Sequence, residues 1–178
     1  GGGRFDWNVQ YLMPVKKEPR GPLLTSNVEE VGTDLPTPVD PGLQLRLGAV
    51  RQRDPAFDFG VLNQRIAHIF AELQRGWSGR DPSVIRPYVS DNLFQSMMYW
   101  IDLYVQQRCR NVNEGARILR IDPATVLSDA TYDAITVRPF ATGLDYTIGD
   151  DGKMLSGSRS KARTYSEYWT LIRGVVRK

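Results

Sequence analysis

The run Tyr165-Ser-Glu-Tyr-Trp-Thr-Leu-Ile-Arg173 near the end of the chain limits the possible folds more than any other segment. Thr, Tyr, Trp and the branched aliphatics favour the pleated, half-buried backbone of a strand. With a period of two, Tyr165, Glu167, Trp169, Leu171 and Arg173 share one face, and Tyr168, Thr170 and Ile172 the other. The first face must hold apolar bulk together with a carboxylate and a guanidinium. Such a strand needs a sheet to pair with and a second layer to cover it.

The preceding sequence supplies both. Phe57, Val61, Leu62, Ile66, Ile69, Phe70, Leu73 and Trp77 recur at three- and four-residue spacing, which predicts a helix opened by Asp54-Pro55 and ended by Gly76 and Gly79. Asp81-Pro82 starts a short second helix that runs to Arg86. Ser90 or Asp91 caps a third, with Leu93, Phe94, Met97, Trp100, Ile101, Tyr104 and Val105 on its stripe. After Gly115 the period becomes alternating. Strands are predicted over 117–127, over 132–140 continuing through 143–148 past a bulge, and over 163–176, with Asp150-Asp151-Gly152-Lys153 as a hairpin turn. Helices followed by an antiparallel meander give an α+β fold, its helices packed on one face of a curved sheet.

Residues 1–50 carry no helical or strand period of any length. Pro14, Pro19, Pro22, Pro36, Pro38 and Pro41 make them an extended, Pro/Gly-rich arm, with residues 51–178 as the folded domain. Phe5, Trp7, Tyr11 and Leu12 form an aromatic-aliphatic patch on this arm, suited to docking on its own domain or on another subunit. The chain begins with Gly-Gly-Gly rather than Met, which leaves room for a signal or an anchor upstream.

A net charge of +3 is too small for a polycationic nucleic-acid binder, so no nucleic-acid partner is expected. The excess is local: Arg117, Arg120, Arg163, Arg173 and Arg177 crowd the last third and read as a rim for anionic phospholipid or an acidic partner. Cys109 is the only cysteine and His68 the only histidine, so neither a disulfide within the chain nor a transition-metal site is expected. No phosphate-binding loop or nucleophile elbow occurs, and no cofactor is implied. No stretch approaches the ~20 apolar residues of a spanning helix. Trp77, Trp100, Tyr104, Tyr168 and Trp169 pair apolar bulk with polar handles, which suits the lining of a pocket between helices and sheet.

From Asp54 to Arg173 the chain resembles the C-terminal domain of the forty-four-kilodalton subunit of the mitochondrial inner-membrane import translocase and its bacterial relatives. The landmarks are Asp54-Pro-Ala-Phe57, Ile69-Phe70, Trp77, Arg110-Asn111, Asp133-Ala-Ile-Thr-Val137, Asp145-Tyr146, Gly157, and Tyr168-Trp169-Thr170 with Arg173. The resemblance implies a cone-like fold like that of nuclear transport factor two, with a large apolar pocket. It also implies peripheral attachment to a bacterial or mitochondrial inner membrane through acidic lipid, and a tethering role for other proteins. Family members continue past the Tyr-Trp-Thr strand into a further strand, whereas this chain stops at Lys178, so truncation or a partner strand is expected there. The arm lacks the long charged region of the mitochondrial subunit, and a role in the import motor does not carry over.

The function expected is a non-enzymatic, membrane-associated scaffold or accessory subunit that docks on lipid or a membrane-protein complex. Two alternatives stay open. Asp133 and Asp145, in strands beside Tyr132 and Tyr146, could serve an isomerase- or dehydratase-like pocket. The third reading is a carrier of a hydrophobic ligand.

Overall fold

A computed structural model of the chain describes residues 6–14 and 35–174. In chain order these form β1 (Asn8–Pro14), α1 (Leu43–Arg53), α2 (Phe59–Ser78), the single turn α3 (Pro82–Ile85) with a 3₁₀ turn at Arg86–Tyr88, α4 (Asp91–Gln106), β2 (Cys109–Ser128), β3 (Tyr132–Gly149) and β4 (Met154–Gly174). The strands make one antiparallel sheet in the order β1-β4-β3-β2, and the helices cover one of its faces. The fold is α+β with a curved open sheet.

Local chemistry sets the helix boundaries. Asp58 caps α2 by accepting from Gly60 N at 2.9 Å, so the helix starts four residues later than Asp54-Pro55 suggests. Asp54 instead accepts from Ala56 N in the preceding turn. Gly76 does not end α2: a Cβ there would lie 2.6 Å from Ile85 Cγ1, so the glycine admits α3 against the helix, and Gly79 is the C-cap. Ser90 caps α4 through Leu93 N at 3.2 Å. The stripe of Leu62, Ile66, Ile69, Phe70 and Leu73 is buried as predicted, but Val61 faces solvent.

The strands are longer than the pattern predicts, and β2 begins eight residues before Arg117. Register shifts at Glu114/Arg117, Ile118/Arg120 and Pro123/Thr125 in β2, and at Gly143/Asp145 in β3, bend the sheet. The Asp150–Lys153 turn forms, with Gly152 at φ +87° and Gly149 N bonded to Lys153 O at 2.8 Å.

Two elements fall where no period was expected. α1 buries Leu43, Leu47 and Val50. β1 pairs along β4, Leu12 opposite Trp169 and Val9 opposite Leu171, and it brings Trp7 and Val9 into the core. The sheet position beside the C-terminal half of β4 is filled by residues 8–14 of the same chain, so no partner strand is needed at that edge.

Candidate functional site

The alternation of β4 decides which aromatics can meet. Tyr165, Trp169, Leu171 and Arg173 are all buried and face the helical layer, with Trp169 only 2% exposed and tilted against Phe70 at a centroid distance of 6.2 Å. A cleft of about 360 Å³ opens where α2 and α4 spread from the β1–β4 edge. Leu12, Leu73, Trp77, Leu93, Met97 and Trp169 give it an apolar wall, and Gln74, Asn113 and Glu167 supply polar points. Glu167 accepts from Trp169 Nε1 at 2.9 Å, while Gln74 Oε1 is buried without a hydrogen-bond partner.

Only two of the five predicted pocket aromatics, Trp77 and Trp169, line this cleft. Tyr104 lies behind it, edge-on to Trp77 at 5.7 Å and 1% exposed. Its hydroxyl has no hydrogen-bond partner, and burial raises its pKa well above the usual phenol value. Trp100 stacks edge-on with Tyr99 on α4, away from the cleft lining. Tyr168 is on the opposite face of the sheet, where Arg138 lies over its ring. The period-two pattern already separated it from Trp169, so its placement in the pocket is corrected.

The predicted arginine rim divides the same way. Arg173 is 7% exposed and pairs with Asp54 at 3.0 Å and Asp133 at 3.2 Å, its guanidinium 4.5 Å from the Trp7 ring centroid. Arg163 pairs with Asp145 and lies over Tyr165. Arg173 is thus a structural cation inside the domain, and Arg163 a half-buried one held by its carboxylate. Arg177 lies outside the described residues. Arg117 and Arg120 are exposed. Arg117 pairs with Thr142 and Arg120 with Phe140, one register step from the core residue Ala141, which places them on the face away from the helices. The cleft and the exposed arginines thus occupy opposite faces.

Of the arm residues, Trp7 is in the core and Leu12 lines the cleft, whereas Tyr11 is exposed; Phe5 lies outside the described residues. Leu35 and Thr37 are also tied down, by Arg138, which donates to Leu35 O at 2.7 Å and Thr37 Oγ1 at 3.3 Å.

The carboxylates considered for catalysis do not form a pair. Asp133 is fully buried and held by Arg173, by Arg53 at 3.2 Å and by Ser128 Oγ at 2.6 Å. Asp145 binds Arg163 and accepts from Asn111 Nδ2 at 2.9 Å, while Trp77 Nε1 donates to Asn111 Oδ1 at 2.9 Å. The two sit twelve positions apart on β3, roughly 40 Å at the usual rise, and neither lines the cleft.

A family model for the Tim44-like domain matches residues 43–178. The chain belongs to the Tim44-like domain family. The matched stretch runs from the first residue of α1 and contains every cleft residue except Leu12 and Met13, which β1 supplies. No curated protein gives a significant match. No helix among the described residues of this Tim44-like chain is long and apolar enough to cross a membrane.

Proposed function

We propose that this Tim44-like chain is a non-catalytic accessory subunit at an inner membrane, holding an acyl chain or similar apolar group in the cleft between α2, α4 and the β1–β4 edge. The observation that carries this reading is the cleft itself. It has about 360 Å³ of space behind an apolar wall, and its one carboxylate, Glu167, accepts from an indole. A site of that kind can grip but has no acid–base pair with which to work on a substrate. Asp133 and Asp145 are both committed to guanidinium groups elsewhere, which favours this reading over the isomerase- or dehydratase-like one.

Attachment to anionic phospholipid would use Arg117 and Arg120, whose side chains are exposed; Arg120 also lies 4.0 Å over the Phe140 ring and 3.5 Å from Asp122, which holds it at the surface. Each cation near an anionic surface contributes about 1 kcal/mol, so losing both is worth roughly 30-fold, and Arg117→Glu with Arg120→Glu, which adds two repulsions, should weaken vesicle partitioning by at least that much. Co-flotation of the full chain with vesicles rich in phosphatidylglycerol, against pure phosphatidylcholine, measures this. Binding that ignores salt and the double charge reversal would refute the lipid part. Extraction of the purified chain followed by mass spectrometry tests the cleft separately, because Met97→Trp should expel any bound acyl chain.

A further inference from the structure

The fourth strand of the sheet comes from outside the family match. The Tim44-like stretch begins at Leu43, yet the core is closed by residues 6–14, and residues 15–34 connect that segment to Leu35, which Arg138 holds against the domain. At ~3.3 Å per residue that connection can reach well beyond the width of one domain of this size.

The contacts that hold the segment are those by which a domain recognises an extended peptide. A backbone ladder runs along β4 from Asn8 opposite Ile172 to Pro14 opposite Glu167. Trp7 anchors one end: it is 6% exposed, edge-on to Phe57 at 6.2 Å, and covered by the Arg173 guanidinium. Arg65 reads the anchor's neighbours, donating through Nε to Trp7 O at 3.0 Å and through Nη2 to Asn8 Oδ1 at 2.9 Å. Val9 fills a fully buried position, and its carbonyl accepts from Ser90 N at 2.9 Å. An open cleft of about 260 Å³ continues past Trp7 between Phe57, Val61, Leu62 and Arg65, so the socket is larger than the side chain it holds. None of these contacts depends on the covalent link between Pro14 and Leu43.

We propose that the β4 edge and the Trp7 socket form a strand-docking groove that accepts residues 6–14 from a second copy of this chain as well as from its own. A link of about this length holds the chain's own strand at an effective concentration in the millimolar range. The self-docked monomer therefore prevails in dilute solution, and exchange between copies takes over where copies are crowded or the self-contact is weakened. The device is a reciprocal strand exchange, which costs little because both copies use identical contacts.

Two experiments on the full chain test this. In the first, a protease site is inserted after Gly21 and the purified protein is cut. A labelled synthetic peptide of residues 4–14 should then exchange into the cut protein, and the Trp7→Ala peptide should bind about 100-fold more weakly. A cut protein that keeps its circular dichroism but takes up no peptide overturns the proposal. So does one that unfolds on cutting and is not restored by peptide, since the strand would then be an inseparable part of the core. In the second, a Trp7→Ala chain with a sound groove is mixed with an Arg65→Glu chain with a sound strand. Sedimentation should show a one-to-one pair that neither forms alone, and monomers throughout would refute exchange between copies.

Discussion

Arg173→Ala separates a cation that holds the domain together from one that meets lipid. Arg173 bonds Asp133 Oδ2 at 3.2 Å and Asp54 Oδ2 at 3.0 Å, and it lies 4.5 Å above the Trp7 ring. Truncation leaves Asp133 fully buried, with only Arg53 and Ser128 on its other oxygen. Breaking a buried ion pair from one side costs about 3–5 kcal/mol, and the retained Arg53 places this case near the lower figure. Loss of the desolvated cation over Trp7 adds about 1 kcal/mol. The sum, roughly 4 kcal/mol, is a large part of the 5–15 kcal/mol typical of a whole domain. Urea denaturation followed by circular dichroism should show the midpoint fall by about 2 M, at a slope of about 2 kcal/mol per molar. Replacing the pair with neutral groups, Asp133→Asn with Arg173→Met, should recover much of the loss, because no charge is then left at the fully buried position, while Asp54 and Arg53 both reach solvent in part. A loss below about 1 kcal/mol, or a double variant no better than the single one, would refute the reasoning. Vesicle binding per folded molecule should be unchanged; if it collapses while stability holds, Arg173 is a lipid contact after all.

Three further outcomes are expected. Trp169→Ala removes the largest fully buried side chain of β4 and should cost about 3–5 kcal/mol in the same urea assay; a near-neutral result would mean the helices do not depend on it. Gly143→Ala would place a Cβ 2.7 Å from Ala116 Cα, a backbone atom, and should lower stability by about 1–3 kcal/mol, whereas full tolerance would show that β2 can move aside. Burial raises the Tyr104 pKa in the folded state, so the contribution of that group is fully present below the unfolded phenol value near pH 10 and is lost as pH rises beyond it. Tyr104→Phe removes an unpartnered buried hydroxyl and should leave stability at neutral pH unchanged or up to about 1 kcal/mol higher. It should also flatten the alkaline decline of the urea midpoint, and an identical decline in both proteins would exclude Tyr104 as its source.

Much of the fold was legible because its signals are local. The α2 stripe, the caps at Asp81 and Ser90, the Asp-Gly turn and the two faces of β4 depend on neighbours within a few residues, and they appear where the pattern places them. The candidate site was legible only in part. Trp77 and Trp169 meet in the cleft, but Tyr168 and Trp100 carry the same aromatic signal and point elsewhere. The clearest misreading concerns charge. Arg117 and Arg173 look alike in sequence, yet one is exposed and the other buried, because only Arg173 has Asp54 and Asp133 brought to it from distant parts of the chain.

The sequence by itself determined an α+β domain of the Tim44-like family, with an aromatic strand turned toward a helical layer. The domain class and the strand's two faces follow from periodicity and capping, which act over one or two turns of backbone, and the family from the resemblance of landmarks such as Tyr168-Trp169-Thr170. Tertiary structure alone decided that residues 8–14 pair with β4, that Arg163 and Arg173 are each held by a carboxylate, and that Asp133 and Asp145 lie too far apart to cooperate. Each of these depends on pairing across more than a dozen residues, where register and burial are fixed by the whole core and no short-range pattern records the outcome.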